Sequence, residues 1–352
     1  VLESISLTFD PSTYVLGTQV RLETLGIAGI LLCAILFAAL RAGLPRAGLA
    51  VGVGGAGRDA PALRRDDLIL IAFGAVPGAV VGGRLDYVLI HLDYYQANSN
   101  ALLDPGQGGM ALTLAVVCGT ITALAVGRLL SAPLSRWLGV AAVPVVLALG
   151  LGKLATVLGG AGQGQYSDAS WATVYAGAGP WESLNPSYPA IPSQAIEGGL
   201  ILLAVLVVLV VPPVLRLRLR PWRSYVRPGI APRRSWKWLT GWRRYTTMIG
   251  LWALARFAVA FTWRDAEVAG PLNAEQLLLL GVIAAAFLGP WALLLLAALL
   301  RATAGGLRLA GAAAGRRRAA RRRPADASAE DPEGASDAPS AEPAVGGGQD
   351  AG

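Results

Sequence analysis

The sequence predicts an all-α, polytopic membrane protein with about seven transmembrane helices, its amino terminus outside the cytoplasm and its carboxyl terminus inside. Three observations predict it. Hydrophobic residues make up 54% of the chain and charged residues only 15%, outside the range of ordinary soluble domains. Apolar runs of roughly 18 to 25 residues recur, enough for a helix to cross a hydrocarbon core about 30 Å thick. Lys and Arg, finally, collect in alternate connections between these runs, as cytoplasmic loops do.

The apolar runs cover about residues 24–42, 68–92, 110–130, 140–158, 194–215, 245–262 and 277–300. The first connection carries Arg41, Arg46, Arg58, Arg64 and Arg65, and the third carries Arg128 and Arg136. With the fifth connection and the segment after the last run, these hold 25 of the 30 basic residues. The opposite set holds Arg21 and Arg264, and its long members 93–109 and 159–193 hold none. Seven crossings keep the two sets apart, whereas one more or one fewer mixes them.

The expected organisation follows. Residues 1–23 form an extracytoplasmic segment without the pattern of a cleavable leader. The membrane domain spans 24–300, with an extracytoplasmic loop at 159–193 and a basic cytoplasmic loop at 216–244. The outer loop is rich in Gly, Ser and Pro, suited to irregular backbone at the aqueous interface, with Trp171, Trp181 and Tyr188 as headgroup-level anchors. The inner loop interleaves Arg with Trp222, Trp236, Trp238 and Trp242, a composition that holds to an anionic membrane surface at about 1 kcal/mol per basic residue. A basic cytoplasmic segment, 301–323, precedes an acidic Ala/Pro/Gly/Ser tail at 324–352 that lacks hydrophobic periodicity and is expected to be disordered.

A formal charge of +8 invites a nucleic-acid reading, but the basic residues flank apolar runs and form no surface for bases, so no nucleic-acid partner is expected. Cys33 and Cys118 lie in separate apolar runs without CxxC spacing, so neither a structural disulfide nor a metal site is expected. His91, the only histidine, sits at the end of an apolar run, where interfacial packing is its expected role.

Arg84, Lys153 and Arg256 fall inside or at the edge of the runs, as do Asp86 and Glu197. A basic residue at a helix centre costs about 2.5–3.5 kcal/mol on insertion scales, so each needs a polar cavity, a partner or an interface. Two roles are open to them: pairing between helices to fix packing, or a functional site. The glycines nearby, Gly82, Gly83, Gly106, Gly108, Gly109, Gly150, Gly152, Gly159, Gly160, Gly162 and Gly164, leave the same choice between close helix approach and backbone turned toward a cavity. Cations beside free N–H donors would make a receptor for a lipid phosphate.

These clusters, in order, resemble the prolipoprotein diacylglyceryl transferase family of bacterial inner-membrane proteins. Pro77–Tyr87 (PGAVVGGRLDY), Asp104-Pro105 and Gln107–Met110 (QGGM) are similar to the family's GGR-x-GY…DP…GGM run. Gly150–Gly164 (GLGKLATVLGGAGQG) resembles its GxGRxGNFxNxExxG signature, and Pro192–Glu197 (PSQAIE) its HPSQLYE element. Arg256-Phe257 matches the penultimate helix, and Gln276 the SMGQ segment.

The resemblance implies transfer of a diacylglyceryl group from phosphatidylglycerol to the lipobox cysteine thiol of a lipoprotein precursor, in the bacterial cytoplasmic membrane, without metal or organic cofactor. It assigns Arg84, Lys153 and Arg256 to the lipid phosphate, with Tyr87, Gly108, Gly109, Thr156, Gly164, Ser193, Gln194, Glu197 and Gln276 in support. Several polar positions depart from the family pattern: Thr113 stands for its histidine, Lys153 for arginine, Thr156 for asparagine, Ala161 for glutamate, Ile191 for the histidine of HPSQ, and Leu25 for a tyrosine. The glutamate and second arginine of the penultimate helix fall near Ala260 and Trp263. A thiol must become a thiolate to attack, so Thr113 and Asp86, the latter standing where the family has glycine, are the candidate catalytic groups. Two further readings compete: a non-catalytic relative that binds phospholipid or a lipoprotein partner, favoured by the replaced positions, and a small-solute transporter, which would need inverted repeats or broken helix pairs that the sequence does not display.

Overall fold

The computed structural model describes residues 4–43, 63–103, 109–176, 188–226 and 241–289, and side-chain surroundings up to Val210 in the fourth of these stretches. The chain divides into two units, Val1–Leu293 and Leu294–Gly352. The second, with the basic segment 301–323 and the tail, lies outside the described residues, as do Gly108, Asp104-Pro105, Trp181, Trp236, Trp238 and residues 227–240 of the basic inner loop.

The first unit is mostly helical. Helices α1 (Leu22–Gly43), α2 (Arg65–Ile90), α4 (Thr113–Leu129), α5 (Leu134–Ala155), α6 (Ser193–Val226) and α7 (Trp242–Ala260) occupy six of the seven apolar runs, and α8 (Ala274–Gly289) the described part of the seventh. A short α3 (Leu92–Ala97) follows α2. Four are long and apolar enough to cross a membrane, over Leu22–Ala42, Arg65–Ile90, Leu134–Leu158 and Ser193–Val210, while Thr113–Leu129 and Ala274–Gly289 are shorter apolar helices. Their outward side chains are themselves apolar, including Leu31, Leu32, Ile35 and Leu36 on α1 and Phe73, Val76, Val80 and Val81 on α2, as a lipid solvent requires.

One boundary differs from expectation. Helix α6 runs to Val226, into residues assigned above to a loop.

The core lies between α5, α6, α7 and α8, where Val143, Val146, Ile201, Val205, Met248, Trp252, Ala253 and Leu279 pack together. Helices α2 and α4 form the second main contact. At Gly82 an added Cβ would meet the Leu114 carbonyl oxygen and the Cys118 side chain, so only hydrogen fits there.

Strands form in the amino-terminal segment and in the outer loop, the latter expected to be irregular. β1 (Ile5–Thr8) pairs in parallel with β4 (Thr173–Ala176), and β2 (Ser12–Val15) with β3 (Thr18–Arg21) forms a hairpin whose root is tied to α1 by the Leu22 N–H donating to Pro11 O at 2.8 Å. A last hairpin, β5 (Glu267–Ala269) with β6 (Leu272–Asn273), joins α7 to α8. The period-2 signal of four-residue strands is too short to stand out beside the membrane runs. These links gather the amino-terminal segment, the 159–193 region and the α7–α8 connection at one end of the unit: Ile5 N–H bonds Ala172 O, and Gln165 N–H bonds Thr262 O, each at 2.8 Å. At the other end Gly139 packs on the backbone of Gly241.

Candidate functional site

Consecutive long helices alternate in direction, so the ends that meet beside the 159–193 region are the C-terminal ends of α2, α5 and α7 and the N-terminal ends of α4, α6 and α8. Each brings a polar side chain. Asp86 comes from α2, Thr113 from α4, Lys153 from the last turn of α5, Glu197 from the second turn of α6, Glu275 from the first turn of α8, and Arg256 from near the end of α7. The distribution suits the helix dipoles, with both glutamates at N-terminal ends and both cations toward C-terminal ends.

Arg256 is the hub. Its Nη1 lies 2.6 Å from Glu197 Oε1, its Nη2 lies 2.6 Å from Glu275 Oε1, and Nε donates to that same Glu275 oxygen at 2.7 Å. Lys153 Nζ pairs with Glu197 Oε2 at 3.2 Å. Thr113 Oγ1 donates to Glu275 Oε1 at 2.8 Å. Trp263 covers the group, its ring centroid 4.6 Å from Arg256 Cζ and 5.8 Å from Lys153 Nζ, a cation–π arrangement. Thr113 and Glu197 are fully buried, Arg256 and Glu275 are 4% exposed, but the Lys153 side chain keeps 18% of its surface. Burying these charges is tolerable only because each has a close opposite.

The supporting positions hold the frame. Ser193 Oγ and Thr262 Oγ1 bond at 2.6 Å, tying α6 to the end of α7, and Gly164 fits against both residues. Gln194 Nε2 donates to Tyr175 Oη at 3.3 Å, and Tyr175 donates onward to Val157 O at 2.7 Å; burial pushes that phenol up to about 12, so it stays a donor. Gln276 and Asn273 exchange bonds at the start of α8: the Asn273 N–H donates to Gln276 Oε1 at 2.9 Å and the Gln276 N–H to Asn273 Oδ1 at 2.8 Å. This reciprocal cap fixes the turn that carries Glu275. Thr156 returns its hydroxyl to Lys153 O at 2.7 Å, closing α5.

Arg84 does not join the other two cations. Its guanidinium donates to Ala101 O at 2.8 Å, and to Leu102 O and Gly109 O at 3.2 Å each, with the Tyr95 ring 5.3 Å from Cζ. It therefore clasps the connection after α3, where Gly109 rests against the Tyr87 ring. His91 stacks on Tyr87 at 4.2 Å between centroids, a packing role as expected. Asp86 is fully buried on the opposite side of α2 from Arg84, its Oδ2 accepting the Leu114 N–H at 2.9 Å.

Two participants escaped sequence reasoning. Glu275 carried a signal, since it sits inside an Asn-x-x-Gln capping spacing ahead of an apolar run. Trp263 was marked only as the place near which the family's second arginine falls, and as an aromatic after a helix it gave no sign of covering the cations.

Comparison with known proteins bears on this arrangement. Residues 44–292 match the sequence profile described as prolipoprotein diacylglyceryl transferase. A Geobacter sulfurreducens protein named phosphatidylglycerol–prolipoprotein diacylglyceryl transferase is 29% identical over 229 residues, 63% of this chain and 76% of that relative. Proteins of the same name from Pseudomonas entomophila and Pseudomonas paraeruginosa are 29% and 27% identical over 168 residues, covering 45% of this chain and 61% and 60% of their own lengths. The polar residues gathered at the common helix ends all lie within the matched stretch, and the chain belongs to the prolipoprotein diacylglyceryl transferase family.

Proposed function

We propose that this protein moves a diacylglyceryl group from phosphatidylglycerol to the cysteine thiol of a lipoprotein precursor, at the outer face of a bacterial cytoplasmic membrane. One observation carries the reading: family-matched positions far apart in sequence, Thr113, Lys153, Glu197 and Arg256, meet in one buried charged cluster. Phosphatidylglycerol and the precursor peptide are the partners named by the relatives. The basic connections at the other end would rest on anionic headgroups.

The departing phosphate needs positive charge that is not already spent. Arg256 directs Nε, Nη1 and Nη2 at two glutamates, and Arg84 directs its nitrogens at three carbonyls. Lys153 has one carboxylate partner among the described residues, three donors on its ammonium, and a partly exposed side chain. Lys153 is therefore the phosphate ligand in this reading. Arg256 is the positioning residue that holds Glu197 and Glu275, and the amide-bearing N-terminal ends of α4, α6 and α8 add partial positive charge. Seven crossings with the amino terminus outside bring the cluster to the outer leaflet, where a secreted precursor presents its cysteine.

A second reading, a non-catalytic lipid-binding relative, is favoured by Thr113 in place of imidazole and by the mutual neutralisation of the cations and glutamates. Complementation of a transferase-depleted strain separates the two. The expected result is growth and a thioether-linked diacylglyceryl on a reporter lipoprotein by mass spectrometry, lost in Lys153→Gln. A reporter with bare cysteine under wild-type expression overturns the transferase reading.

A further inference from the structure

Asp86 differs from the other buried acids. Glu197 and Glu275 each touch Arg256. Asp86 enters no ion pair among the described residues, and the charges that reach it, from Glu275 on α8 and Arg256 on α7, act from beyond contact. Its Oδ2 accepts the Leu114 N–H in the first turn of α4, whose N-cap position is Leu112 and offers no side-chain oxygen. Asp86 thus caps α4 from the neighbouring helix. Capping uses one oxygen. The other, Oδ1, is buried without a hydrogen-bond partner among the described residues.

A buried polar atom left unpaired costs about 1–3 kcal/mol, more if charged. Neither protonation state relieves it: an ionised carboxylate lacks a donor at Oδ1, and a protonated one lacks an acceptor. Among the described residues nothing completes Oδ1, so its partner is a water or a ligand. The amide it caps adjoins Thr113, whose hydroxyl is already given to Glu275 and does not take a proton near neutral pH. A carboxylate oxygen is an acceptor.

We infer that Asp86, through Oδ1, accepts the proton of the incoming thiol, doing at this site the work that the family resemblance gives to an imidazole at position 113. The inference rests on the transferase reading. In the step, a sulfur electron pair forms the S–C bond to the glyceryl carbon as the C–O bond to phosphate breaks, its electron pair leaving with glycerol phosphate. The thiol proton passes to Asp86 Oδ1 and then to the departing phosphate monoester, whose second ionisation lies near about 6, restoring the carboxylate. No other reactant is needed.

The test uses the full chain in detergent with phosphatidylglycerol and a peptide containing a lipobox cysteine. Asp86→Asn retains an oxygen for the Leu114 amide but removes the basic group. Expected are an unchanged melting temperature and lipid binding, a fall in turnover of about 100-fold or more, and loss of the acidic limb of the pH–rate profile. The double variant Asp86→Gly/Thr113→His is expected to regain the turnover that Asp86→Gly alone loses. Asp86→Asn turning over within a few-fold of wild type overturns this inference and leaves the transferase reading intact. A wild-type protein with no turnover overturns both. A destabilised Asp86→Asn with no recovery in the double variant makes Asp86 a cap alone, which also overturns the inference.

Discussion

Glu197 holds two cations at once, Arg256 at 2.6 Å and Lys153 at 3.2 Å. Removing it leaves Lys153 without a carboxylate and Arg256 with Glu275 alone, and breaking a buried pair from one side costs about 3–5 kcal/mol. Glu197→Ala is therefore expected to lose stability on that scale, visible as a lower melting temperature in detergent. Adding Lys153→Met is expected to return part of the loss, since the double change removes the cation left without a carboxylate; a strictly additive double variant would contradict the pairing. Individual cations were legible in the sequence because charge within an apolar run is rare. Their partners were less so. Lys153 and Arg256 converge, but Arg84, equally prominent in sequence, turns to the carbonyls of Ala101, Leu102 and Gly109, because a side chain's direction on a helix depends on neighbours that no local pattern specifies.

Helix positions were the most legible elements, since hydrocarbon solvent imposes a length and a composition on each. The contact between α2 and α4 turns on glycine: a methyl at position 82 would meet the Leu114 carbonyl oxygen. Gly82→Ala is accordingly expected to force the helices apart at a cost of about 1–3 kcal/mol, read by thermal denaturation. It should also disturb the amide of Leu114 that Asp86 caps. What stayed hidden were the small strands. β1 and β4 are four residues each and their partners lie 168 positions apart, pairing Ile5 with Thr173 through Thr8 with Ala176, a partnership that hydrophobic periodicity has no means to register. The reciprocal cap of Asn273 and Gln276 was visible as spacing, and the resemblance picked out Gln276 without the acid beside it.

Across the whole molecule, polarity divides by end. The end bearing the charged cluster also carries the strands and the 159–193 region, while the predicted cytoplasmic connections hold 25 of the 30 basic residues. A topology with the amino terminus outside predicts that, in a chain without Cys33 and Cys118, Ser170→Cys reacts with an impermeant maleimide on intact cells and Thr240→Cys only after lysis. The reverse pattern would invert the orientation and remove the cluster from the face where a secreted precursor arrives. Charge asymmetry predicts this orientation, whereas the meeting of helix ends at one cluster required the fold.

The parallel pairing of Ile5–Thr8 with Thr173–Ala176 sets a timetable for biogenesis. The first strand leaves the ribosome early, yet its mate is made roughly 165 residues later, a delay of about 8–33 s at about 5–20 residues per second. Throughout that interval the leading segment waits, unzipped, for a stretch that must be threaded to its own side of the bilayer. The finished sheet is thus a late fastening, closed only after α5 has been synthesised.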